Sequence, residues 1–140
     1  MSNAPDAAVG ASAETSWPVD RSLCTERGGR HLLSTPSLVL LMERGSIEAI
    51  KPFLGEGESS VGTEVNVRHL APTPEGGTVR IKATVLERDG RRFRLEVEAF
   101  DELDQIGVAE HERFVIGIER YLARLEDKIQ RLADARAADA

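Results

Sequence analysis

The sequence predicts an α+β domain, an antiparallel sheet laid over one apolar helix. Three observations predict it. Residues 38–42 are five consecutive apolar residues, one residue after a helix-start pair, Thr35-Pro36. Three later segments alternate apolar and polar with a period of two, as half-buried strands do. The last stretch repeats apolar residues every three or four positions, as an amphipathic helix does. At 140 residues, 41% hydrophobic but only 4% aromatic, the chain is long enough for one domain with an aliphatic core.

Taken in order, residues 1–16 are small and polar and predict a disordered tail, with Ser2-Asn3-Ala4 resembling an expression remnant. Residues 17–140 then form a single domain, without internal repeats. Residues 19–26 predict a short first strand, broken by Gly28-Gly29. Thr35 is a good N-cap and Pro36 suits the first helical position, so a helix runs from Thr35 to about Ile50, closed by Pro52 and Gly55-Glu56-Gly57.

Four strands follow. In the first, Val61, Thr63, Val65 and Val67 are expected on the apolar face, opposite Glu64, Asn66 and Arg68. In the second, Val79, Ile81, Ala83 and Val85 share a face. Asp89-Gly90 turns the chain tightly into the third, where Phe93, Leu95, Val97 and Ala99 share a face. The fourth runs from about Ile106 to Ile118. From about residue 119 to 137 a polar helix carries Leu122, Leu125, Ile129 and Leu132 as its apolar stripe. The helix at 35–50 is the element apolar enough to fill the concave face of such a meander. A sheet wrapped around one long central helix is the hotdog architecture, here with an additional C-terminal helix.

Composition excludes several functions. Lys and Arg number 18 against 24 Asp and Glu, a net charge of −6, which disfavours nucleic acid as a partner. Cys24 stands alone, so it forms no internal disulfide and supplies no metal-ligand spacing. His31 and His111 are likewise not spaced for a metal from other ligands. No apolar run reaches the roughly 18–20 residues of a membrane span, and the start has no signal-peptide pattern, so a cytoplasmic location is expected. Gly55-x-Gly57 lacks a third glycine and precedes a strand, and no Gly-x-Ser-x-Gly elbow occurs.

Five residues carry candidate chemistry. Glu43 ends the apolar run, where a carboxylate is costly unless it is paired or used. It is either an edge carboxylate paired with Arg44 or Lys51, or a poised base or nucleophile. Thr35 is either the helix cap or a hydroxyl fixed for substrate positioning. It lies eight residues from Glu43, about 12 Å along the helix axis and about 80° around it, too far for a direct pair. His69 continues an apolar face, as a structural histidine or as an acid and oxyanion donor. Gly62 marks a bend, or a bulge whose N–H can meet an oxyanion. Arg113 shares a face with His111 and Val115, either as a solvated side chain or as the planar fork for a phosphate or carboxylate.

The order of these signals is more specific than any one of them. Thr35-Pro36-x-Leu38 and Met42-Glu43 come first. The run Ser60-Val61-Gly62-Thr63-x-Val65-Asn66-Val67-x-His69-Leu70-Ala71-x-Thr73-Pro74 follows. Asp89-Gly90-Arg91-Arg92-Phe93 and Ile106-Gly107-x-x-x-His111-Glu112-Arg113-Phe114 complete the series. Over roughly residues 23–125 the chain resembles the fluoroacetyl-coenzyme A thioesterase group of hotdog proteins. The resemblance implies a catalytic set of Thr35, Glu43 and His69, with Gly62 and Arg113 binding substrate. It implies a homodimer with sites at the subunit interface, coenzyme A entering only as part of the substrate, and no other cofactor. The family's aromatic lid is not matched, since residues 27–34 contain no Phe, Tyr or Trp. The resemblance therefore implies acyl-thioester chemistry on a short or small acyl group, without fixing which. Two alternatives remain open at this point: a non-catalytic acyl-CoA-binding module, and a hydratase or dehydratase on the same fold.

Overall fold

A computed structural model of the chain describes residues 7–139. Five strands form one antiparallel sheet in the order β1 (Ser12–Pro18), β5 (Thr78–Asp89), β6 (Arg92–Phe100), β7 (Gln105–Gly117), β4 (Glu58–His69). A separate hairpin pairs β2 (Cys24–Arg27) with β3 (Arg30–Leu33). Helix α1 (Thr35–Ile50) lies against the concave face, and α2 (Ile118–Ala138) extends from the end of β7. The hotdog architecture expected from the patterning is what the chain adopts.

The middle of the sheet follows its period-two code. Val79, Ile81, Ala83 and Val85 on β5, and Phe93, Leu95, Val97 and Ala99 on β6, are all buried. Helix α1 sends Leu38, Leu41, Met42, Ala49 and Ile50 into the same core. Its remaining face is uncovered within the protomer, where Leu40 and Ile47 are exposed. The sheet's outer face is polar and solvated. There Arg92 reaches Glu112 at 3.2 Å and Arg94 reaches Glu110 at 3.0 Å, pairs of modest worth in water.

Three expectations need correction. Residues 7–16 are not a disordered tail: Ala8 is fully buried, and 12–18 form the edge strand β1. Residues 1–6 lie outside the described residues. Strand β1 pairs residue by residue with β5, from Ser12 opposite Thr84 to Pro18 opposite Thr78. Only Ala13, Thr15 and Trp17 turn inward, so its composition reads as linker although its backbone pairs with β5 along its whole length. Second, the expected strand at 19–26 is instead a short 3-10 turn over Arg21–Leu23 leading into β2.

Third, a register shift between Gly62 and Glu64 breaks the assumed alternation of β4. Before the shift Ser60 faces Val115 and Gly62 faces Arg113. After it Val65 faces His111 and His69 faces Gly107. Residues paired across a ladder point to the same side. Ser60 and Gly62 therefore join Val65, Val67 and His69 on the helix side, while Val61 and Thr63 turn outward. Consistent with this, the Thr63 hydroxyl donates to Glu112 on the outer face at 2.7 Å.

The apolar stripe of helix α2 is uncovered within the chain: the helix buries no residue, and Leu122, Leu125, Ile129 and Leu132 are all exposed. Among the described residues no helix is long and apolar enough to cross a membrane, and no cluster of His, Cys, Asp and Glu is arranged to hold a metal.

Candidate active site

The five candidate residues fall into two groups, both on the helix side of the sheet. The first gathers around Arg113. This side chain is 3% exposed, and its fork is filled. Nε donates to the Ser60 hydroxyl at 2.9 Å and Nη2 to the Ser60 carbonyl at 3.0 Å. Nη1 donates to Glu43 Oε2 at 3.2 Å and lies 3.1 Å from His111 Nε2. A solvated surface arginine is thereby ruled out. Burial pulls the guanidinium below its ordinary value, and the hydrogen bond and charge of Glu43 oppose that. An arginine so placed stays charged and fixes one oxygen of the Glu43 carboxylate in place.

His111 completes the support. It is 1% exposed, with Nδ1 at 2.8 Å from the Glu64 carbonyl. That carbonyl only accepts, so Nδ1 carries the proton and Nε2 accepts from Arg113. Burial, the largest cause, lowers the His111 pKa; the bond to the Glu64 carbonyl opposes the shift, and the Arg113 charge adds to it. The ring is therefore a neutral strut under Arg113. Sequence reasoning found Arg113 but gave His111 and Ser60 no role. The signal was available: His111 is two residues before Arg113, and Ser60 two before Gly62, each on its partner's face.

Glu43 is only partly covered, its side chain 35% exposed, so one carboxylate oxygen is pinned while the group still faces solvent. Gly62 makes room for it. A Cβ on Gly62 would lie 2.6 Å from Glu43 Oε2, 3.2 Å from Arg113 Nη1 and 3.2 Å from His111 Cε1. The glycine is a requirement of space, because the carboxylate rests on its backbone. The pairing expected of Glu43 with Arg44 or Lys51 does not form; Lys51 pairs with Glu48 at 3.8 Å and Arg44 stacks over Trp17.

The second group is Thr35 and His69. The N-cap of α1 is Ser34, whose hydroxyl accepts from Ser37 N at 3.2 Å, so Thr35 is not the cap. Its hydroxyl is free to meet His69 Nδ1 at 2.9 Å. The other ring nitrogen, His69 Nε2, is buried and has no hydrogen-bond partner among the described residues. A buried polar atom without a partner is uncommon and marks a place where a ligand group fits. Both residues line a cavity of about 570 Å³ together with Leu32, Leu33, Leu70 and Ala71. The β2–β3 hairpin roofs it, turning at Gly28 and Gly29 with φ of 57° and 80°, a left-handed pair suited to glycine.

Within one protomer these two groups do not meet. Thr35 and Glu43 are held about 12 Å apart along α1 by eight residues of rise.

Comparison with known proteins identifies the family. The family model described as fluoroacetyl-CoA-specific thioesterase matches residues 19–119. A fluoroacetyl-CoA thioesterase of Streptantibioticus cattleyicolor is 40% identical over 97 residues, covering 69% of this chain and 70% of that protein. A crystal structure of a fluoroacetyl-CoA thioesterase superposes with a TM-score of 0.80 at 33% identity, covering 86% of this chain and 96% of the other. A thioesterase superfamily member from Thermus thermophilus gives 0.77 at 32% identity, covering 93% and 96%. With the family model over most of the chain and solved relatives of the same architecture at about a third identity, the chain belongs to the fluoroacetyl-CoA-specific thioesterase family, acyl-CoA thioesterases of the hotdog fold.

Proposed function

We propose that two copies of this chain hydrolyse a small acyl-CoA at sites shared between them, Thr35 and His69 of one protomer facing Glu43, Gly62 and Arg113 of the other. The observation that carries this reading is the seat of Glu43, with one oxygen held at 3.2 Å by a buried Arg113 and the group pressed on Gly62. Structural pairing alone does not need a glycine beneath a partly exposed carboxylate.

Two features support the shared site. The uncovered face of α1 carries Leu40 and Ile47, both exposed, on either side of Glu43. Antiparallel contact of two such helices about a two-fold axis near Val39 sets Thr35 opposite Glu43 of the second copy, since Val39 is midway between them. Strand β4 is also a 12-residue sheet edge, and edges of that length are normally covered.

In the reaction Glu43 takes a proton from water as the water oxygen bonds to the thioester carbonyl carbon. The backbone N–H of Gly62 stabilises the developing oxyanion. The C–S bond then breaks, and the departing thiolate receives a proton from His69, which Thr35 orients. Direct attack by Glu43, giving an acyl anhydride that water hydrolyses, uses the same groups. Label in the Glu43 carboxylate after turnover in ¹⁸O-water would establish the anhydride route, through attack of water on the Glu43 carbonyl carbon.

Thiol release from acetyl, fluoroacetyl and aromatic acyl thioesters is the direct assay. Glu43→Gln is expected to lower kcat by about 100-fold or more, and turnover close to wild type would refute the assignment. Mixing Glu43→Gln with His69→Ala chains is expected to regain part of the lost activity, because a mixed dimer holds one intact site. No recovery after exchange of subunits would place both groups in one chain.

A further inference from the structure

Beyond the reacting groups, the end of β7 holds a second cavity of about 320 Å³, at the junction with α2. Its walls include Arg91, Phe114, Gly117, Arg120, Tyr121 and Arg124. Three arginines around one small cavity stand out in a chain of net charge −6. Arg91 is partly committed, at 3.5 Å from Glu58 and 3.3 Å from the Val115 carbonyl. Arg120 and Arg124 have no carboxylate within 4.0 Å among the described residues, although acidic residues outnumber basic ones. They are four residues apart on α2, so their side chains share one flank. The cavity also sits at the first turns of a 21-residue helix, whose positive dipole end adds to the potential there. Phe114 and Tyr121 are 42% and 43% exposed there and offer aromatic faces to solvent.

We infer that this cavity binds the nucleotide end of coenzyme A, its phosphates on Arg120, Arg124 and Arg91 and its adenine against Tyr121 or Phe114. This rests on the acyl-CoA reading above. Arginine forks match phosphate oxygens, and exposed aromatic faces stack on bases. The position fits as well. Gly117 is four residues beyond Arg113 on the same strand, about 13 Å at the usual rise, within reach of an extended pantetheine arm whose thioester lies at Glu43. The site gives the unpaired arginines a role on a helix that buries no residue within the chain.

The test compares two substrates of the full-length chain, an acyl-CoA and the matching acyl-pantetheine, which lacks the nucleotide. Wild type is expected to prefer acyl-CoA in kcat/KM, through KM, and to lose that preference as salt rises. The double variant Arg120→Ala/Arg124→Ala is expected to reduce the ratio of the two kcat/KM values at least tenfold. An unchanged ratio overturns the inference, and so does an equal loss on both substrates, which marks a structural effect. Should the wild type hydrolyse no acyl-CoA, the thioesterase reading fails by itself, and calorimetry with adenosine 3′,5′-bisphosphate decides the cavity. Binding that is lost in the double variant supports the site, and no binding to wild type overturns it.

Discussion

Gly62→Ala is the sharpest probe of the Glu43 seat. Gly62 does not have a positive φ, so alanine is compatible with its backbone and the effect is one of space. The new Cβ would start 2.6 Å from Glu43 Oε2, and ordinary contact begins at 3.4 Å, so 3.4 − 2.6 leaves about 0.8 Å to be found. Arg113 and His111 are hemmed in and cannot yield it; both are buried and hydrogen-bonded on two sides. The partly exposed Glu43 side chain can swing away, so folding is cheaply preserved, at about 1 kcal/mol of overpacking. Catalysis is not, because a misplacement of about 1 Å at the reacting group can cost on the order of 100-fold. The expected outcome is a thermal midpoint within a few degrees of wild type together with a kcat reduced about 30- to 100-fold in a thiol-release assay. Alanine keeps the backbone N–H, so the loss reports the position of the carboxylate rather than a missing oxyanion donor. A variant that turns over within threefold of wild type would refute the reasoning, since the carboxylate would then be indifferent to its seat.

Thr35→Ala is expected to lower kcat about 10- to 100-fold while changing stability by less than about 0.5 kcal/mol, because Ser34 and not Thr35 caps α1. Thr35→Ser keeps the hydroxyl and should retain most activity; a stability loss of about 1 kcal/mol in the alanine variant would instead indicate a capping role. For His111 the sign runs toward acid. Burial holds its folded pKa below the ordinary value, so below about pH 6.5 the unfolded chain takes up a proton that the folded chain refuses. Stability should therefore fall as pH drops through that range and be fully kept above it. Denaturation midpoints at pH 5 and 7.5 should differ less in His111→Gln than in wild type, and equal differences would show that this ring does not carry the effect.

Much of the fold is written in the patterning of the chain. Strands β5 and β6 bury the apolar residues that alternation assigns to them, because a period of two allows only one face to be apolar. Helix α1 starts and stops where its Pro and Gly signals place it, one residue aside at the cap. Strand β1 was hidden because an edge strand with one half-buried face can be built from Ala, Thr and Ser, its order coming from the partner's backbone rather than its own side chains. The site divides in the same way. Glu43, Thr35, His69, Gly62 and Arg113 were legible as residue types in a particular order. Which of them touch was decided only in three dimensions, through the one-residue bulge that rotates Ser60 and Gly62 under Arg113 and turns Thr63 away. A period-two pattern carries no mark of such a shift, because the shift is set by pairing with β7. The same holds for His111, a strand histidine in sequence and a neutral strut beneath the guanidinium once burial and two hydrogen bonds fix its ring.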